Sequence, residues 1–277
     1  MSQTISPYQH ASQICDVFQM IKNIKMDSFE APNMALYERF MALLSNQQDE
    51  KFASQVLAEP CLNTIKSDIA SLFAAASGRY EHYWAQKVLA STVPISTLES
   101  DYPWFSHYQR AVGLESNAIY ALSGKQNLNV LMAGSGPLPI TSMLLSQQGM
   151  KVSNLDIDAQ ALTVGERVQK HVYPQQNQKF SCADICEFED LEQFDVVWLA
   201  ALAGSSDVKR QILSHLFTRM RAGSFVVVRT AFNLRQLLYP SIELSDLMPF
   251  TPKLKIQTYS DNFHSILIAQ KPLEEQP

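Results

Sequence analysis

The sequence predicts an α/β protein in which an all-helical N-terminal segment, residues 1–125, precedes a doubly wound parallel sheet over residues 126–277. Three observations carry this. Apolar side chains in the first segment recur at helical spacing; after Gly124 short β-rich runs alternate with helical stretches; and a Gly-Ser-Gly turn joins the first such run to the helix that follows. The helical reading rests on two stripes. Ile69, Leu72, Phe73, Ala76, Tyr80, Trp84 and Val88 share one helix face, and Tyr108, Ala111, Val112, Glu115, Ala118, Ile119 and Leu122 share another. Residues 91–106 between them hold Pro94 and Pro103 among Ser, Thr and Asp, and predict a connecting loop.

The second segment reads as strand Asn129–Ala133, a helix from Pro139, strand Lys151–Leu155, helix Ala159–His171 and strand Lys179–Cys182. Strand Asp195–Ala201, helix Val208–Arg221, strand Phe225–Arg229 and a helix around Leu234–Leu238 follow. Late strands near Ile256–Tyr259 and His264–Ala269, separated by Ser260, Asp261 and Asn262, predict an antiparallel hairpin. A Rossmann-like sheet ending in a hairpin strand is the frame expected of an S-adenosylmethionine (SAM)-dependent transferase.

Composition narrows the partners. Of 277 residues, 22 are basic and 27 acidic, a net charge of −5, with 46% apolar and 18% charged side chains. That is globular composition, and a mild acidic excess argues against nucleic acid or an anionic membrane as partner. The start, MSQTISPYQH, lacks the cationic and apolar regions of a secretory signal. The longest apolar run, Val196–Ala203, falls far short of the roughly 20 residues that span a bilayer. Cys15, Cys61, Cys182 and Cys186 are too scattered for a disulfide framework, and the last two lack the partners a metal site needs. The expectation is a soluble, reduced, cytoplasmic protein with no metal and with its oligomeric state open, a homodimer included.

The strongest local signal is NVLMAGSGPLPITS, residues 129–142. A buried strand runs into Gly134-Ser135-Gly136-Pro137, and glycine lets backbone approach a ligand at the carboxyl end of the first strand, where open α/β sheets bind. A dinucleotide pyrophosphate wants a third glycine and free N–H groups, but Pro137 and Pro139 remove two donors. SAM has no phosphate and fits better. Asp156, twenty-two residues beyond Gly134, is placed to accept from ribose hydroxyls; Asp158 is placed to cap the next helix; Asp184 sits where such folds read an adenine amino group.

Several segments in order resemble the nicotianamine synthase family and its bacterial opine-metallophore relatives: GSGPLPITS, NLDID, VVWLAALAG, RTAFNLRQLLYP and YPWFSHYQRAVGLE. The resemblance implies a helical domain on a Rossmann-like domain. It also implies transfer of a 3-amino-3-carboxypropyl (aminobutanoyl) group from SAM, as co-substrate, to a small amine, with release of methylthioadenosine and a metallophore as product. The family's catalytic glutamate maps onto Glu81 in RYEHYW, and its active-site tyrosine onto Tyr108. The chain departs from the family pattern at Thr230-Ala231-Phe232-Asn233 and at Ser106-His107. The first departure tilts the acceptor toward histidine in a single transfer, over repeated SAM-derived aminobutanoate units giving nicotianamine.

The residues themselves bear this chemistry. A free amine of pKa about 8 must lose a proton before it attacks. Glu81, between Tyr80 and Trp84 at the edge of an apolar helix face, is a carboxylate that desolvation raises toward that task. Tyr108 can hold the amine or relay its proton. Glu115, inside an apolar stripe, must be paired, and both it and Arg229 are candidate substrate contacts, arginine matching a carboxylate bidentately. Two alternatives stand beside the transferase: a SAM-dependent methyltransferase of a small molecule, and a non-catalytic SAM-binding module.

Overall fold

The computed structural model describes residues 5–24, 29, 31–45, 49–257 and 264–273. Among the described residues, seven α-helices come first: α1 (Pro7–Lys22), α2 (Ala31–Ser45), α3 (Glu50–Leu57), α4 (Pro60–Asn63), α5 (Lys66–Ala90), α6 (Pro94–Ser96) and α7 (Phe105–Ser123). The two predicted stripes fall on α5 and α7. Between them the chain is more regular than a loop, with α6 running into a π-helical turn, Thr97–Asp101.

Strands β1 (Asn129–Ala133), β2 (Lys151–Asp156), β3 (Lys179–Cys182), β4 (Val196–Leu199) and β5 (Phe225–Thr230) pair in parallel, with β6 (Thr251–Ile256) and β7 (Ser265–Gln270) antiparallel at one edge. The order is β3-β2-β1-β4-β5-β7-β6, so the chain reverses direction across the sheet between β1 and β4. Helices α8 (Ile140–Gln147), α9 (Ala159–Val172) and α10 (Ser206–Arg219) cover the faces. Because side chains alternate along a strand, Val130, Met132, Val196, Trp198 and Val227 face α5, α7, α8 and α9. Leu131, Ala133, Val197, Leu199 and Val226 face the α10 side. Strands buried on both faces read as continuous apolar runs, which is why β1, β4 and β5 were legible.

Four expectations change in detail. Strand β4 stops at Leu199 rather than Ala201, where the chain enters a turn. The helix after the glycine turn starts at Ile140, with Pro139 as its cap. The stretch near Leu234–Leu238 is a 3₁₀ helix, Asn233–Leu237. The sixth strand is Thr251–Ile256, not Ile256–Tyr259: its Pro252 and exposed lysines hide it as a strand, and an edge tolerates both. The turn at Ser260, Asp261 and Asn262 lies outside the described residues.

A third core, built from α1, α2, α3 and the start of α5, takes in Leu234, Leu237 and Leu238 from the 3₁₀ helix. Sheet and helices are thereby joined in two places, and the carboxyl edge of the sheet is roofed by α5 and α7.

Candidate active site

Under that roof lies a cavity of about 690 Å³. Its floor is the glycine loop. Gly134 and Gly136 have φ of +80° and +67°, in the left-handed region that favours glycine. Gly134 N–H donates to Leu155 O at 2.8 Å, and Gly136 N–H donates to Asp156 Oδ2 at 2.8 Å. The second carboxylate oxygen of Asp156 accepts from Asp158 N–H at 3.0 Å. Each oxygen keeps a further lone pair for a ligand hydroxyl. The Ser135 hydroxyl is buried with no protein partner. Asp158 caps α9, accepting from Gln160 and Ala161 N–H groups. Asp184 holds its own turn through Cys186 N–H at 2.8 Å and reaches the cavity wall.

The roof brings Glu81 down to this loop. A Cβ placed on Gly136 would lie 3.0 Å from Glu81 Oε2, so glycine at 136 makes room for that carboxyl. Burial, and then the negative charge of Asp156, push the Glu81 carboxyl up to about 7. Tyr108 and Tyr239 share the cavity wall; burial first, then Glu81, hold both phenols above their usual range, so both stay protonated donors. His107 also lines the wall, and burial followed by His264, Arg110 and Arg229 lowers it to about 3, leaving it neutral.

Of the sequence-derived site residues, Glu81, Tyr108, Gly134, Ser135, Gly136, Pro137, Asp156, Asp184 and Arg229 all line this one cavity. Glu115 is corrected. Its side chain is 0% exposed and every bond it makes is to protein. Arg229 donates to it bidentately at 2.9 and 2.8 Å, Trp198 Nε1 donates at 2.9 Å, and His264 Nε2 meets it at 3.1 Å. Burial alone would raise its pKa, but Arg229 and the His264 hydrogen bond outweigh that and hold it at about 2. Glu115 therefore sets the pose of Arg229, with both its oxygens engaged by protein groups and its side chain outside the cavity lining. Arg229 keeps one further bond, to Thr141 Oγ1 at 3.0 Å, and reaches the cavity with its charge already matched.

Sequence reasoning did not assign Tyr239 or His264. Tyr239 lies just past the 3₁₀ helix, in the segment LLYP, with its ring edge on Phe73 of α5 at 5.2 Å. His264 stands alone in sequence, with no local pattern to flag it. Among the described residues, no cluster of three or more His, Cys, Asp or Glu side chains suits a metal, and no helix is long and apolar enough to cross a membrane.

A family model described as nicotianamine synthase protein matches residues 7–276. Probable nicotianamine synthase 4 of Arabidopsis thaliana is 31% identical over 224 residues, covering 76% of this chain and 67% of that one. A crystal structure of a mutant of MtNAS in complex with S-adenosylmethionine superposes with a TM-score of 0.81 at 21% identity, covering 95% of this chain and 98% of that one. The structure of MtNAS in complex with MTA and tNA gives 0.78 at 21% identity, with 96% of each chain covered.

Proposed function

The chain belongs to the nicotianamine synthase family, and from that premise we propose that its chamber moves an aminobutanoyl group from SAM to an amine, by attack on the donor's γ-carbon. It is a SAM-dependent aminobutanoyl transferase. The observation that carries the reading is the meeting of Glu81, from the helical roof, with Gly136 of the sheet's glycine loop. Solved proteins of the same fold are described in complex with SAM and with MTA and tNA, in keeping with a donor of that kind.

The residues present fit the donor. The orphaned Ser135 hydroxyl and the spare lone pairs of Asp156 suit a ribose and its neighbours, and Asp184 suits an adenine amino group. Bound there, the donor supplies a sulfonium whose attached carbons are electrophilic. The acceptor nitrogen forms a bond to the γ-carbon, the carbon–sulfur bond breaks with its electron pair going to sulfur, and Glu81 takes the proton from nitrogen. Moving a proton from an ammonium of pKa about 8 to an ordinary glutamate of 4.5 is uphill by about 5 kcal/mol. With Glu81 at about 7 the same step costs about 1.4 kcal/mol. Tyr108 and Tyr239, kept protonated, hold and orient the amine. Arg229, posed by Glu115, offers its remaining N–H groups to a substrate carboxylate.

Two acceptors divide this reading. The relatives' names weigh toward SAM-derived aminobutanoate. The departure from the family pattern at Thr230–Asn233, which runs into the 3₁₀ helix, weighs toward histidine in a single transfer. A product bearing several amines and carboxylates is a metal chelator, and we place its synthesis in the cytoplasm, in keeping with four free cysteines. Purified protein incubated with SAM, with and without histidine, separates the two by product mass. Nicotianamine from SAM alone supports the first acceptor, a histidine-dependent adduct the second, and no adduct in either mixture overturns the transferase reading.

A further inference from the structure

Lys209 lies on α10 with its side chain wholly inside the protein, at 0% exposure. An ammonium there has lost its water, and such a loss is costly unless the charge is paired. The groups it bonds are two backbone carbonyls: Nζ donates to Ala201 O at 2.8 Å and to Arg229 O at 2.8 Å. Neither carries a formal charge. The ion that acts on it, the Arg229 guanidinium, repels it, and burial followed by that repulsion lowers its pKa to about 7. A methionine of similar length would fill the same space without the penalty. Packing alone gives no reason for a lysine at this position.

The two carbonyls do give one. Ala201 belongs to the turn after β4, and residues 200–204 of that turn line the chamber. The same turn backs the glycine loop: a Cβ on Gly134 would lie 3.1 Å from Ala200 Cβ and 3.6 Å from Ala203 Cβ. Backbone bonds run from Ala200 N–H to Ala133 O of β1 at 3.1 Å and, within the turn, from Ala203 N–H to Ala200 O at 3.3 Å, leaving Ala201 O to the lysine. Arg229 O sits on β5, the neighbouring strand, whose side chain at that residue reaches the same chamber.

We propose that Lys209 is a positioning residue for donor binding, pinning the turn after β4 to β5 and so fixing the wall that faces the glycine loop. The proposal rests on the SAM reading given above. Lysine serves here where methionine cannot, because one ammonium can donate at once to a carbonyl of the turn and to a carbonyl of β5. Its place beneath the wall, not in the chamber, separates its role from that of Glu81 and the tyrosines.

Steady-state kinetics of Lys209→Met tests this. The KM for SAM is expected to rise about tenfold, with kcat changed less than threefold. Lys209→Gln, which keeps two N–H donors, is expected to recover part of the loss. A wild-type KM for SAM in Lys209→Met, whatever its Tm, overturns the proposal, since a lysine that only supports the fold lowers Tm alone. Should both variants fail to fold, wild-type protein labelled with ¹³C at lysine Cε serves instead. The Lys209 titration midpoint is expected to rise when SAM is added, because a site that needs the clamp favours the protonated amine. A midpoint unchanged or lowered by SAM overturns it. Wild-type protein that binds no SAM contradicts the transferase reading itself, and this inference falls with it.

Discussion

A half-buried carboxyl at Glu81 is costly when ionised, yet the ionised form is the one that takes a proton. Its pKa, raised from 4.5 to about 7, means that the stabilising contribution of the protonated acid is fully present below about 4.5 and is lost as pH rises through 7. At about 1.36 kcal/mol per unit, the loss approaches about 3 kcal/mol by pH 8. Glu81→Gln is therefore expected to raise the Tm of the ligand-free protein at pH 8 more than at pH 5. The same variant should retain SAM binding while turnover falls by about 10²- to 10⁴-fold. In the wild type, kcat/KM should climb with pH through a midpoint near 7, and a flat profile from pH 6 to 8 contradicts the assignment of Glu81 as base. Part of this was legible in sequence, since Glu81 stands beside Tyr80 and Trp84 on an apolar face. The contribution of Asp156 was not, because seventy-five residues and a change of fold class separate the two. Glu115 shows the converse: an acid in an apolar stripe demands a partner, but the stripe does not say whether the partner is ligand or protein.

The glycine loop depends on the element behind it. On α9, a Cβ at Gly165 would come within 2.6 Å of Gly136 O and 3.5 Å of Pro139 Cδ, so helix and loop touch backbone to backbone. Gly165→Ala is expected to cost about 1–3 kcal/mol through overpacking and to weaken SAM binding by pushing the loop toward Glu81. Gly113→Ala on α7, where nothing lies within 4 Å, is the matched control and should stabilise by up to about 1 kcal/mol. Thermal melts with and without SAM read both; an undisturbed Gly165→Ala would contradict the packing described. At this scale the central strands were legible because burial on both faces leaves an unbroken apolar run. The edge strand Thr251–Ile256 was not, because exposed lysines and a proline carry no burial signal. The 3₁₀ helix at Asn233–Leu237 was read as an ordinary helix, since its core contacts, Leu234, Leu237 and Leu238, fit either pitch over so short a stretch.

Across the whole molecule, function depends on how the helical segment sits on the sheet. We propose that residues 1–125 and 126–277 fold as one unit. Trp84, Val88 and Val112 pack in the same core as Val130 and Trp198, while Leu234 and Leu238 enter the core of α1, α2 and α3. Period and order along the chain predict two halves, but periodicity is local and says nothing of which faces meet. That juxtaposition puts Glu81 over Gly136 and decides which carbon of a sulfonium an amine can reach. The adenosyl by-product, identified by mass spectrometry after a single turnover, reports that choice. Methylthioadenosine is the outcome that γ-carbon attack beneath Glu81 predicts. S-Adenosylhomocysteine in its place would mean that the methyl group faces the acceptor, and would contradict the account.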